Sequence, residues 1–110
     1  MNLDDVDRDA LLRLFFEESE EGLETMEEAL VILETSPQDQ GVLATLFRVA
    51  HTLKGNAGSM GFVDLAHVTH HLEDVLDRLR SGSLEVSREV VDVLLASVDV
   101  LRGMLAEVKA

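Results

Sequence analysis

From Asp4 to Glu34 no proline interrupts the chain, and Leu12, Phe16, Ser19, Leu23, Met26, Leu30 and Leu33 recur at steps of four and three. Side chains three and four residues apart share one face of an α-helix, so this spacing predicts a long amphipathic helix with a single seam to bury. The other face is dense in Glu17, Glu18, Glu20, Glu21, Glu24, Glu27 and Glu28 and reads as a solvated acidic surface. A helix so divided needs other helices to cover its seam, and the rest of the chain supplies them.

Thr35-Ser36-Pro37-Gln38 breaks the pattern, because a proline cannot continue a helix but can open the next one. A second helix is expected from about Asp39 to Ser59, with Leu43, Leu46, Ala50, Leu53 and Ala57 facing a core. Gly58-Ser59-Met60-Gly61 makes a short turn, with Gly61 the helix stop. The third helix, from about Phe62 to Arg80, turns Leu65, Val68, Leu72, Val75, Leu76 and Leu79 inward and ends at Ser81-Gly82-Ser83. Ser87 is placed to cap a fourth, where Val91, Leu94, Val98, Leu101, Leu105 and Val108 repeat the rhythm. Short connections favour antiparallel neighbours, so the expected fold is all-α, an antiparallel up-down-up-down four-helix bundle occupying residues 1–110 as one domain.

Composition removes several classes of function. The net charge of −13, from 22 acidic against 9 basic side chains, repels a phosphate backbone, and only 4 aromatic residues, all Phe, are available to stack on bases. Nucleic acid is therefore not an expected partner. No run approaches the roughly 20 apolar residues of a membrane span, and the first residues are acidic, unlike a signal peptide. The absence of cysteine excludes disulfides, thiolate metal sites and cysteine nucleophiles, and fits a cytoplasmic setting.

The chemistry concentrates in the second helix. His51, Lys54, Gly55 and Gly58 stand at i, i+3, i+4 and i+7, a stripe on the wet flank of the core face. Glycine in a helix interior is unfavourable by up to about 1 kcal/mol, so Gly55 and Gly58 beside a histidine suggest space cleared for the close approach of a partner. On the third helix Glu73 falls beyond one shoulder of the inward stripe, with His70 one turn before it. A partly covered carboxylate needs a donor, and His51 stands at a matching position to be one. An Nδ1 proton given to Glu73 would fix the tautomer and leave the Nε2 lone pair free as a nucleophile. Lys54 would then offer positive charge to a phosphoryl group, and His70 would support the carboxylate or the phosphate.

The run His51-Thr52-Leu53-Lys54-Gly55-Asn56-Ala57-Gly58-Ser59-Met60-Gly61-Phe62, with Leu46-Phe47-Arg48-Val49-Ala50 before it and His70 and Glu73 after, resembles the phosphorylation motif of histidine-containing phosphotransfer domains. More narrowly, it is similar to the N-terminal phosphotransfer domain of CheA-type chemotaxis histidine kinases. The resemblance implies that His51 takes phosphate from ATP through a separate kinase domain and passes it to an aspartate of a CheY-like response-regulator receiver domain. It implies further that Glu73 is the hydrogen-bond partner of His51, and that Lys54 and His70 belong to the supporting network. No cofactor is implied for this domain; ATP and Mg belong to the kinase domain and Mg to the receiver. The domain is expected to be monomeric and a piece of a longer multidomain kinase, with no catalysis of its own. Asn56 stands where many members have another glycine, a departure that bears on how open the surroundings of the ring are.

A receiver would dock on an exposed, partly apolar patch beside His51, for which Leu11, Leu14, Phe15 and Met60 are the candidates. Leu11 and Phe15 have a plainer reading as a widened core stripe. Two other functions compete. His67 and His71, at i and i+4 with Asp74 one turn beyond, could grip a divalent ion, although no second helix brings ligands. Alternatively, the bundle only mediates protein contacts.

Overall fold

The computed structural model describes residues 3–109, and four helices account for nearly all of them: α1 (Leu3–Thr35), α2 (Gln40–Ser59), α3 (Val63–Ser81) and α4 (Arg88–Lys109). No strand occurs among the described residues. Each helix packs on two others in cyclic order, α1 on α2, α2 on α3, α3 on α4 and α4 on α1, so the expected up-down-up-down bundle is the observed one. The contact between α2 and α3 is the most extensive of the four. The molecule is elongated, 52 × 21 × 21 Å, because α1, at 33 residues, is much longer than the 20-residue α2 beside it.

The helix ends follow local chemistry. Asp39 caps α2, its Oδ1 accepting from the Val42 amide at 3.1 Å and meeting one of the amides a helix start leaves unpaired. Pro37 does not open α2 as the sequence suggests; it lies in the turn before this cap, because the side-chain oxygen of Asp39 is the better starter. At the far end Gly61 has φ +82°, and the Phe62 and Gly61 amides reach back to the Ala57 and Gly58 carbonyls at 2.9 and 3.1 Å. This is the 6→1 and 5→2 pairing that a left-handed residue permits, and it turns the chain directly into α3. Ser87 caps α4, its hydroxyl accepting from the Val90 amide at 3.2 Å.

Burial on α2 coincides with the expected stripe of Leu43, Leu46, Ala50, Leu53 and Ala57. On α3 the buried set is Leu65, Thr69, Leu72, Glu73, Leu76 and Leu79, with Val68 and Val75 only partly covered. Thr69 is tolerated inside because its hydroxyl donates to the Leu65 carbonyl of its own helix. Val108 does not face the core as expected; it is exposed where α4 ends. One feature of α1 departs from its spacing: Phe15 rather than Phe16 is the fully buried ring. Gly22 marks the close approach of α1 to α2, where a Cβ would stand 3.3 Å from Val49 Cγ1.

Candidate functional site

The tight α2–α3 contact brings His51 and Lys54, one turn apart on α2, against Glu73 in the middle of α3. His51 Nδ1 is hydrogen-bonded to Glu73 Oε2, and Lys54 Nζ donates to Glu73 Oε1 at 2.7 Å. The carboxylate thus gives one oxygen to each partner. It is 7% exposed, so without these donors its charge would be very unfavourable. Burial pushes the Glu73 pKa up, but the hydrogen bonds from Lys54 and His51, with the charges they bring, outweigh it and hold the group below its ordinary 4.5. Glu73 is therefore ionised at neutral pH and can only accept, which places the proton of the pair on His51 Nδ1.

The imidazole is tethered at one nitrogen and open at the rest. The His51 side chain is 62% exposed, against 27% for Lys54 and 9% for Glu73. With Nδ1 carrying the proton, Nε2 holds a lone pair directed away from the carboxylate, available to an electrophile arriving from solvent. A Cβ built on Gly55 or Gly58 meets nothing within 4 Å, so neither glycine is required by packing, and the stripe beside the ring is bare. Asn56 leaves that stripe clear too, its Nδ2 lying 3.4 Å from Glu18 Oε2 on α1.

Other expected residues are placed differently. Lys54 is not a free counter-charge: it is engaged by the second oxygen of Glu73, which in its buried position would otherwise lack a donor. His70 is not bonded to Glu73. It is exposed and pairs with Asp74 of its own helix at 3.7 Å, since three residues of helix rotate it off the α2-facing side. Phe15 cannot serve as a docking residue, because it is 3% exposed and packs on Phe62 with ring centroids 5.2 Å apart. Leu11 and Leu14 are the surface part of that set, at 55% and 50%, and Met60 is half-buried against the core. Leu11, Leu14 and Glu18 share one flank of α1, continuing toward its N-terminal half the groove formed by Glu18, Gly22, Arg48, Thr52 and Asn56.

The metal alternative finds little support in the donor set. His67 and His71 do converge, with Nε2 atoms 3.2 Å apart, but the described residues bring no three His, Asp or Glu side chains around one point. No helix among the described residues is long and apolar enough to cross a membrane. A stack that helical spacing does not encode lies beneath the site. The Phe47 ring lies 6.1 Å from the His51 ring and within 15° of parallel, and the Arg80 guanidinium sits 3.9 Å over Phe47. The only trace of this stack in the sequence is the i, i+4 step from Phe47 to His51 and the i, i+7 step from Glu73 to Arg80.

Comparison with known proteins identifies the family. The Hpt domain family matches residues 10–110. The chemotaxis protein CheA of Bacillus subtilis is 43% identical over 103 residues, which is 94% of this chain but 15% of that protein. Among solved structures, the CheA phosphotransferase domain from Thermotoga maritima superposes with a TM-score of 0.84 at 34% identity, covering 90% of this chain and 94% of that one. The phosphorylated P1 domain of CheA3 in complex with CheY6 from R. sphaeroides gives 0.83 at 30% identity, covering 90% and 77%. The four-helix architecture, the histidine held by a buried glutamate and the match over nearly the whole chain have one conclusion: the chain belongs to the Hpt domain family, the histidine-containing phosphotransfer domains, of the kind found in CheA.

Proposed function

We propose that His51 is the phosphoryl acceptor and donor of this domain, within a chemotaxis-type two-component pathway in the cytoplasm. The observation that carries the reading is a ring tied at Nδ1 to a buried, ionised Glu73 while most of its surface is open to solvent. The Nε2 lone pair attacks the γ-phosphorus of ATP held by a separate kinase domain; the N–P bond forms, the bond to the bridging oxygen breaks, and ADP leaves. The imidazole becomes cationic, and the Glu73 carboxylate at Nδ1 stabilises that charge. Transfer onward reverses the roles: a receiver aspartate oxygen attacks the phosphorus and neutral His51 departs with its Nδ1 proton in place.

Lys54 acts in this scheme through Glu73, holding the second carboxylate oxygen so that the first stays aimed at His51. Gly55 and Gly58 leave room for the two partners that must reach Nε2 in turn. Leu11, Leu14 and Met60 form the apolar part of the receiver surface, at the end of the groove lined by Glu18, Arg48, Thr52 and Asn56. ATP and Mg enter with the kinase domain, and Mg with the receiver. In this reading the domain is one piece of a longer CheA-type kinase and works as a monomeric unit within it.

The test is direct. Incubated with labelled ATP, Mg and a CheA-type kinase domain, the protein should acquire a label stable to alkali and lost in mild acid, and a receiver domain should remove it. The His51→Gln variant should take none. Label persisting in that variant at the level of the unaltered protein would overturn the assignment.

A further inference from the structure

The hydrogen bond to Glu73 holds the His51 ring at one atom, and a ring held at one atom can still tilt about that bond. In-line attack needs the Nε2 lone pair directed at phosphorus, so a second constraint on the ring plane matters to the rate. Phe47, one turn before His51 on α2, supplies a flat neighbour. The two rings lie within 15° of parallel with centroids 6.1 Å apart, an offset arrangement within the range in which aromatic rings interact. Phe47 is itself fixed from two sides, packing in part against the core and carrying the Arg80 guanidinium 3.9 Å over its face. Arg80 in turn is anchored, its Nη2 donating to Asp77 Oδ1 at 2.7 Å. Glu73, Asp77 and Arg80, at i, i+4 and i+7, form one stripe of α3, so the helix that supplies the acceptor for Nδ1 also supplies the clamp on the neighbouring ring.

We infer that Arg80 and Phe47 are positioning residues for phosphoryl transfer at His51, the guanidinium holding the Phe47 ring and that ring setting the plane of the imidazole. The inference rests on the reading of His51 as the phosphoryl acceptor. Neither residue touches the phosphoryl group in this scheme; both act through the orientation of the ring.

The decisive measurement combines ring spectroscopy with kinetics. In the unphosphorylated domain, the ¹⁵N signals of the His51 ring in Arg80→Ala and in Phe47→Leu should move or broaden relative to the unaltered protein, while circular dichroism shows both variants folded. Phosphorylation by the kinase domain should slow by about two- to five-fold in Arg80→Ala, the fold-change corresponding to one exposed cation–π contact. Arg80→Lys, which keeps a cation over the ring, should recover part of both effects. Unchanged His51 ring signals in Arg80→Ala would overturn the inference, even with a slower reaction, since the loss would then lie in partner docking. Failure of the unaltered domain to accept phosphate would remove the acceptor reading and the inference with it, an outcome separate from any change in the ring signals.

Discussion

All four histidines of this chain are exposed, yet only one is held from another helix. His51 on α2 gives its Nδ1 proton to a carboxylate buried in α3, whereas the α3 histidines find their partners on α3 itself. His67 and His71 meet Nε2 to Nε2 at 3.2 Å, and His70 faces Asp74 at 3.7 Å. Access therefore does not separate the two faces; the tertiary anchor does. In the His67–His71 contact one Nε2 donates and the other accepts, so only the accepting ring has its lone pair engaged, and no charged acceptor decides which ring that is. At His51 the donor role is assigned to Nδ1 by an acceptor that cannot reverse it, and Nε2 is spared.

Removing the anchor should make His51 resemble its neighbours. In Glu73→Ala the ring loses a hydrogen bond to a charged group, worth about 1.5–3 kcal/mol, so phosphorylation should slow by roughly ten- to a hundred-fold. His70→Ala should stay within about two-fold, because His70 does not reach the carboxylate. Rates of label uptake with one kinase preparation check both, and a normal rate in Glu73→Ala would erase the distinction between the two faces. Acid supplies a second readout. The folded pKa of Glu73 lies below its ordinary 4.5, so its contribution to stability is present above that value and is lost as pH falls through the folded one. The stability gap between the unaltered protein and Glu73→Ala should accordingly be full at pH 7 and narrow below about pH 4.5.

The faces differ also in what a partner would meet. Leu11 and Leu14 lie on the α1 flank that continues the groove lined by Glu18, Gly22, Arg48, Thr52 and Asn56, whereas exposed Val93 stands on α4, which packs on α1 and α3 but not on α2. Leu14→Asp should weaken receiver binding by about five- to thirty-fold, equivalent to about 1–2 kcal/mol for the loss of an apolar anchor. Val93→Asp should leave affinity unchanged, and both variants should remain folded, since each side chain is at least half exposed. Equal affinities in a titration with a receiver domain would take Leu14 out of the docking surface.

What the spacing disclosed depended on how many contacts decide a position. The α2 stripe of Leu43, Leu46, Ala50, Leu53 and Ala57 was legible because α2 packs between α1 and α3, and a periodic pattern is the sum of many burials. The α1 seam holds for Leu23, Met26, Leu30 and Leu33, while Phe16 is only partly buried against the core and Phe15 takes the plainer reading, a widened core stripe. Phe15 and Phe16 are adjacent and equally apolar, and the turn at Gly61 that carries Phe62 against Phe15 is a tertiary event. The pairing of His51 with Glu73 could be inferred, because a covered carboxylate must have a donor and few were in reach. A helical wheel leaves Lys54 between the phosphoryl group and the network around Glu73, because it does not report how far a lysine side chain bends back. The Arg80–Phe47–His51 stack joins two helices by ring geometry, which no one-dimensional period encodes.

The smallest expected effect tests whether the bare stripe beside His51 serves access. Gly55 and Gly103 both lie inside helices, and a Cβ on either meets nothing within 4 Å. Alanine at each should therefore stabilise the bundle by about 0.5–1 kcal/mol through helix propensity alone. Their consequences should then diverge. Gly55→Ala places a methyl one turn from His51 on the face a receiver must approach, and transfer from phosphorylated protein to receiver should slow by a few-fold despite the gain in stability. Gly103→Ala on α4 should transfer at the unaltered rate. Thermal unfolding gives the first quantity and a rapid-quench transfer assay the second. Equal stabilisation with equal transfer would show that the glycine beside the ring is a tolerated residue, and that access to Nε2 is governed by the orientation of the ring alone.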